Sequence, residues 1–130
     1  FDRGGNARIF ERNRIMSKPR VFVVQQPAFY DRDARKFVPK YDLTPATQHG
    51  ALVVMLGPGN IFKDRMVQAL KQLRDVLATF TEADFLLAVG DPVAIAAAVL
   101  IAGERTGGKV QLLKWDRISS AYEAFPVVVR

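Results

Sequence analysis

Residues 85–116, FLLAVGDPVAIAAAVLIAGERTGGKVQLLKWD, read as strand, sharp turn, helix and strand, and the rest of the chain arranges itself around that unit. Phe85-Leu86-Leu87-Ala88-Val89 is a continuous apolar run, as a parallel strand covered on both faces requires. Gly90-Asp91-Pro92 ends it. The Asp91 carboxylate can accept from the free amides of a first helical turn, and Pro92 stands where no donor is missed. Every residue from Val93 to Ala102 is apolar, with Ala94, Ala96, Ala97 and Ala98 thin enough for close approach to a sheet. The run is far shorter than the ~20 residues a bilayer crossing takes. Gly107-Gly108 supplies a left-handed helix stop, and Lys109 to Trp115 starts a new strand. Strand, helix and strand in this span make a βαβ crossover.

Working outward, Ala51-Leu52-Val53-Val54-Met55-Leu56 is a second buried-type strand closed by Gly57-Pro58-Gly59-Asn60. Phe62, Met66, Ala69, Leu70, Leu73, Val76, Leu77 and Phe80 then recur at threes and fours, which predicts an amphipathic helix of ~18 residues lying on a sheet. Two hairpins are expected at the edges. In the first, the run from Arg20 to Gln26, weakened by Pro27 and extended by Ala28-Phe29-Tyr30, pairs with a return strand from Lys36 to Leu43. In the second, Ala121 to Val129 returns beside 109–115. The two turns look alike: Tyr30-Asp31-Arg32 precedes Phe37 as Trp115-Asp116-Arg117 precedes Tyr122. Shared turn chemistry explains this more simply than duplication does. The predicted fold is a small two- or three-layer α/β domain, with a central parallel βαβαβ sheet, helices packed on it and antiparallel hairpin strands at its edges.

Composition bounds the rest. A chain of 130 residues, 49% apolar and 25% charged, fits one globular domain. The division expected is a basic arm over 1–19 and a single domain over 20–130. Up to Arg20 the chain carries six cations against Asp2 and Glu11, which is +4 of the total +6. Met16-Ser17-Lys18-Pro19 reads like an ordinary start, so residues 1–15 are expected to be upstream sequence; N-terminal sequencing of natively expressed protein tests this. The absence of cysteine rules out disulfides and thiolate zinc sites, and the single histidine, His49, argues against a histidine-built metal centre. No cofactor is called for. A reducing bacterial cytoplasm is the expected setting, without membrane insertion.

Two sets of residues could carry function. Arg32, Arg35, Lys36, Lys40, Lys114 and Arg117 sit on the hairpins among Tyr30, Phe37, Tyr41, Trp115 and Tyr122. A surface that mixes cations with aromatics can stack bases while tracking phosphates. The alternative set lies where parallel strands end, at the edge where open α/β sheets bind ligands: Gly57, Gly59, Asn60, Gly90, Asp91 and Asp116. Two helix N-termini point there and suit an anion. The glycines lack the Gly-Lys-Ser/Thr ending of a P-loop, and Phe62 stands where a dinucleotide fingerprint needs its third glycine. Asp91 is expected to cap its own helix, and its carboxylate would repel a phosphate. A magnesium ion between Asp91 and Asp116 is a lesser reading. Ser17, Ser119 and Ser120 lie in arm or turn contexts with no partnered histidine, so no nucleophile is assigned.

The stretches Val89 to Ala98, Gly107 to Arg117 and Tyr41-Asp42-Leu43-Thr44-Pro45-Ala46 resemble a group of short proteins of unknown function encoded by bacteriophages and related mobile elements, over about Arg20 to Val128. The resemblance implies a phage-infected bacterial cell and brings no activity or catalytic residues. The function expected is a non-enzymatic accessory protein that contacts nucleic acid or a nucleic-acid-processing partner, with a homodimer suited to exposed sheet edges. A nucleotide- or phosphate-binding domain is the alternative.

Overall fold

The structure is a computed structural model that describes residues 18–129, so the expected basic arm lies outside it apart from Lys18 and Pro19. Strands β1 (Arg20–Gln25), β4 (Ala51–Leu56), β5 (Phe85–Leu87), β6 (Lys109–Asp116) and β7 (Ala121–Val128) form one five-stranded sheet in the order β4-β1-β5-β6-β7. All neighbours are parallel except β6 and β7, which pair antiparallel as the second expected hairpin. Strands β2 (Ala28–Asp31) and β3 (Lys36–Pro39) form a separate antiparallel ribbon.

The first expected hairpin is corrected by this order. The run from Arg20 is not an edge strand: β1 lies between β4 and β5, with Val21 opposite both Leu52 and Phe85. Val21, Phe22, Val23 and Val24 are all buried: the helices cover Phe22 and Val24 on one face, and Ala46 and Leu43 pack with Val21 and Val23 on the other. Pro27 has no donor to continue the ladder, and the chain leaves the sheet there. The hairpin forms afterwards, closed at its base by Lys40 N donating to the Pro27 carbonyl at 2.8 Å.

Helices α1 (Met66–Leu77) and α2 (Pro92–Thr106) pack on one face of the sheet, over Phe22, Val24, Met55 and Leu86. α2 forms as its caps dictate: Asp91 Oδ1 accepts from Val93 N at 2.8 Å, and Gly107 closes the helix at φ 68°. Ala94, Ala98, Ile101 and Ala102 face inward, where small side chains let helix and sheet approach. α1 is shorter than its apolar periodicity predicts, because a 3-10 turn over Lys63–Arg65 precedes it. Phe62, assigned to the apolar stripe, is instead exposed, since its backbone is still extended there. Ala69, Leu73 and Leu77 carry the buried stripe; Leu73→Ala would cost about 3 kcal/mol.

The other face of the sheet carries Val21, Val23, Leu87, Leu113 and Tyr122. Among the described residues only a short cover lies on it: the 3-10 turn Thr44–Gln48 with Leu43 and the fully buried Ala46. The fold is therefore two layers with a partial third. His49 pins this cover in place, with its Nε2 2.7 Å from the Tyr122 carbonyl and its ring 5.3 Å from that of Phe85. Among the described residues the cover is incomplete at the carboxyl ends of the strands, and the gap it leaves is the candidate site.

The two hairpin turns share one geometry. Asp31 Oδ1 and Asp116 Oδ1 each accept from the amide two residues on, at 2.9 Å, and Arg35 and Ser120 each adopt a left-handed backbone, at φ 53° and 51°. Each turn is also flanked by an edge-to-face aromatic pair, Tyr30 with Phe37 and Trp115 with Tyr122. No helix among the described residues is long and apolar enough to cross a membrane.

Candidate functional site

The strand order reverses between β1 and β5: from β1 the chain goes first to β4 on one side, then to β5 on the other. Open α/β sheets place a ligand crevice at such a point. Here the side chain of Gln25 occupies it. Gln25 is 3% exposed; its Nε2 donates to the Gly57 carbonyl at 2.9 Å and to the Gly59 carbonyl, and its Oε1 accepts from Asp91 N at 2.7 Å. Gly90, at φ 120°, passes so close that a Cβ built there would lie 2.5 Å from Gln25 Cβ. One amide side chain thus stitches the two loops together.

Asp91 is equally engaged. Its two oxygens accept from Ile61 N at 3.2 Å and Val93 N at 2.8 Å, and these bonds, that of Ile61 foremost, hold the carboxyl below its ordinary range. Asn60 is exposed, and Asp116 spends an oxygen on its own turn. The alternative site residues therefore lie along one edge, with their polar groups largely committed to the chain itself.

The open volume lies beside this point, on the face that the short cover leaves bare. A cavity of about 690 Å³ is bounded by Tyr41, Asp42 and Pro45 on one side and by Lys114, Trp115 and Arg117 on the other. Its apolar floor is Leu87, Val89 and Leu113. Tyr122 forms part of the wall: it is buried and packs edge-to-face against Trp115, with ring centroids 5.1 Å apart. Trp115 is 43% exposed and Tyr41 53%, so both rings present surface to a ligand. The Lys40 ammonium lies 5.6 Å from the centre of the Tyr41 ring.

Charge within the cavity is graded. The hydroxyl and backbone amide of Thr44 hold the Asp42 carboxyl below its ordinary range; the amide bond is 2.9 Å. Burial, then the nearby Asp42 carboxylate and Tyr41, push the Tyr122 hydroxyl up, so it stays neutral at any physiological pH. Asp42 is thus a fixed anion close to a neutral phenol, with Arg117 also lining the cavity; the Lys114 ammonium turns to the other face of β6, 5.9 Å from the centre of the Phe125 ring.

All six predicted cations are exposed. The structure brings Arg117 to the cavity, with Lys40 beside its Tyr41 wall; Lys114 borders the cavity in the strand but its ammonium lies over Phe125, and Arg32, Arg35 and Lys36 lie out on the β2–β3 turn and ribbon. Asp42 and Gln25 were missed by sequence reasoning. The available signal for Asp42 was Asp-x-Thr, a side-chain-capped turn that fixes a carboxylate in place.

A second polar cluster lies at the opposite edge of the sheet. Buried Asp84 accepts from Arg20 N, Thr81 N, the Thr81 hydroxyl and the Arg20 guanidinium, at 2.9, 2.9, 3.1 and 3.1 Å. Its oxygens serve to anchor the start of β1 to the loop before β5.

Comparison with curated proteins and with solved structures gives no match. A family of phage proteins does match, over residues 19–129, which takes in the whole sheet, both helices and the cavity. The chain belongs to the phage Pam3 gp32-like protein family.

Proposed function

We propose that this phage-associated protein is a non-enzymatic accessory factor that binds single-stranded nucleic acid, alone or together with a protein that processes it, in the cytoplasm of the infected bacterium. The carrying observation is the meeting of Tyr41 and Trp115, with Arg117, in one cavity, although the two aromatics stand 74 positions apart. Exposed rings beside cations suit the stacking of bases and the tracking of their phosphates. The β2–β3 ribbon extends the same chemistry, with exposed Phe29, Tyr30 and Phe37 beside Arg32, Arg35 and Lys36.

The test is binding of a labelled oligothymidylate across a salt series. Log affinity should fall linearly with log salt, and each of Lys40→Ala and Arg117→Ala should lower the slope by about 0.7, as expected when one phosphate contact to a single strand is lost. Binding that is absent, or indifferent to salt and to both substitutions, removes this reading. Light scattering on the same samples tests the homodimer, for which β4 and β7 supply outer edges.

The second reading, a nucleotide or phosphate at the loops 57–60 and 90–91, draws support from Gly57, Gly59 and Gly90 lying at the reversal of strand order. It requires Gln25 to withdraw. Thermal stabilisation by one nucleotide that Asp91→Ala abolishes would favour it over strand binding.

A further inference from the structure

We propose that the cavity between the Tyr41–Pro45 segment and the end of β6 receives a single guanine base, stacked on its aromatic walls and paired through its Watson–Crick edge with the Asp42 carboxylate. The base can come from a free nucleotide or from a single strand, and the second source rests on the function proposed above.

The chemistry of the lining selects the class of ligand. A volume of about 690 Å³ is within the usual size of small-molecule sites. Its floor of Leu87, Val89 and Leu113 offers no hydrogen bond, so the part of the ligand that enters must be flat or apolar. Tyr41 and Trp115 supply exposed ring surface for stacking. A bare phosphate does not fit this floor, whereas the exposed Arg117 beside it can take one that remains outside.

Asp42 then selects the base. An ionised carboxylate only accepts, with two oxygens side by side. Oδ1 takes the Thr44 amide at 2.9 Å and the carboxylate also takes the Thr44 hydroxyl, which together fix the group and leave about two of its four lone-pair sites for a ligand. The matching partner presents two adjacent N–H donors. Guanine does so through N1–H and its 2-amino group. Adenine and cytosine each place one amino donor beside a ring acceptor, and thymine or uracil flanks its single N–H with two carbonyls. Against those edges a carboxylate oxygen meets another lone pair. A correct bidentate contact of this kind discriminates by roughly tenfold or more.

The chain contains one tryptophan, so emission excited in the indole band beyond tyrosine absorption reports on Trp115 and hence on the cavity. The full chain is titrated with GMP, AMP, CMP and UMP, and in parallel with a twelve-residue oligothymidylate and the same strand carrying one central dG. Quenching should be tightest with GMP and with the dG strand, by roughly tenfold over the others. Asp42→Asn keeps the Thr44 contact, because the amide oxygen can still accept it, and should abolish the preference while unchanged circular dichroism shows the fold intact. Equal affinity for all four nucleotides in the unaltered protein, or a guanine preference that survives Asp42→Asn, overturns the proposal. Quenching by GMP with no binding of either strand supports the guanine site and removes the strand-binding function. Salt-sensitive strand binding that leaves Trp115 emission unchanged does the reverse.

Discussion

The side chain of Gln25 accepts a 2.7 Å hydrogen bond from the backbone amide of Asp91, across the place where the strand order of the sheet reverses. Removing it strands three buried or partly buried groups: that amide and the carbonyls of Gly57 and Gly59. Gln25→Ala should therefore cost about 3 kcal/mol in urea unfolding. Gln25→Glu separates donor from packing. The introduced carboxylate cannot donate to the two carbonyls, so its folded-state pKa is raised; stability should be lower at neutral pH and recover in acid, where the protonated group donates again.

Gly90 tests the same contact from the other side. At φ 120°, with a Cβ only 2.5 Å from Gln25 Cβ, Gly90→Ala should destabilise by about 3 kcal/mol. Combined with Gln25→Gly, which removes the Cβ together with the amide, the clash disappears and part of that cost should be recovered. A double-mutant cycle that gives strict additivity would contradict the packing described.

Asp84 joins β1 to the loop before β5 through four accepted hydrogen bonds. Asp84→Ala leaves the Arg20 and Thr81 amides unpaired in a largely buried setting and should cost about 3 kcal/mol. Hydrogen exchange should show earlier opening of the amides around Arg20 and Thr81 than of those in α2.

Acid titration reads the cap of α2. The folded-state pKa of Asp91 is lowered from 3.8 by the amides of Ile61 and Val93, so its contribution is present above that value and is lost as pH falls through the folded value. Asp91→Ala should cost about 1 kcal/mol at pH 7, and its deficit should shrink below pH 3.8 as the parent protein loses the same contribution.

Alkaline titration reads the cavity. Tyr122 is raised above 10.0, by burial first and by Asp42 second, so one of the three tyrosines should ionise late in an absorbance titration. Folding stability linked to this group is present below 10.0 and falls as pH rises through the higher folded value. Asp42→Asn removes the second cause and should move that ionisation back towards 10.0.

The unit from β5 through α2 to β6 was legible because its signals are local: the capping Asp91, the proline after it and the left-handed Gly107 each act within one turn of the helix. The central place of β1 was not. Parallel pairing of Val21 with both Leu52 and Phe85 is set by residues 31 and 64 positions away and leaves no mark in the strand beyond its apolarity. Gln25 reads as a polar strand end until its neighbours are known; only the strand order shows that it fills a crevice. The candidate cavity was legible in its parts, since Tyr41, Trp115, Lys114 and Arg117 were all noted as aromatic or basic hairpin residues. Their convergence depends on the Leu43–Ala46 cover folding back over the sheet, and Asp42 gains significance only once that fold places it beside Tyr122.

The interior position of β1 also bears on how the chain folds. Of the described strands, the one made first pairs on both sides with strands made later, and its second neighbour, β5, ends only at Leu87. During synthesis Val21, Phe22, Val23 and Val24 must wait, with their apolar side chains uncovered, until β5 and the helix before it have left the ribosome. Such long-range pairing requires loop closure before it yields contacts, which slows folding and exposes the nascent chain to chaperones or to aggregation.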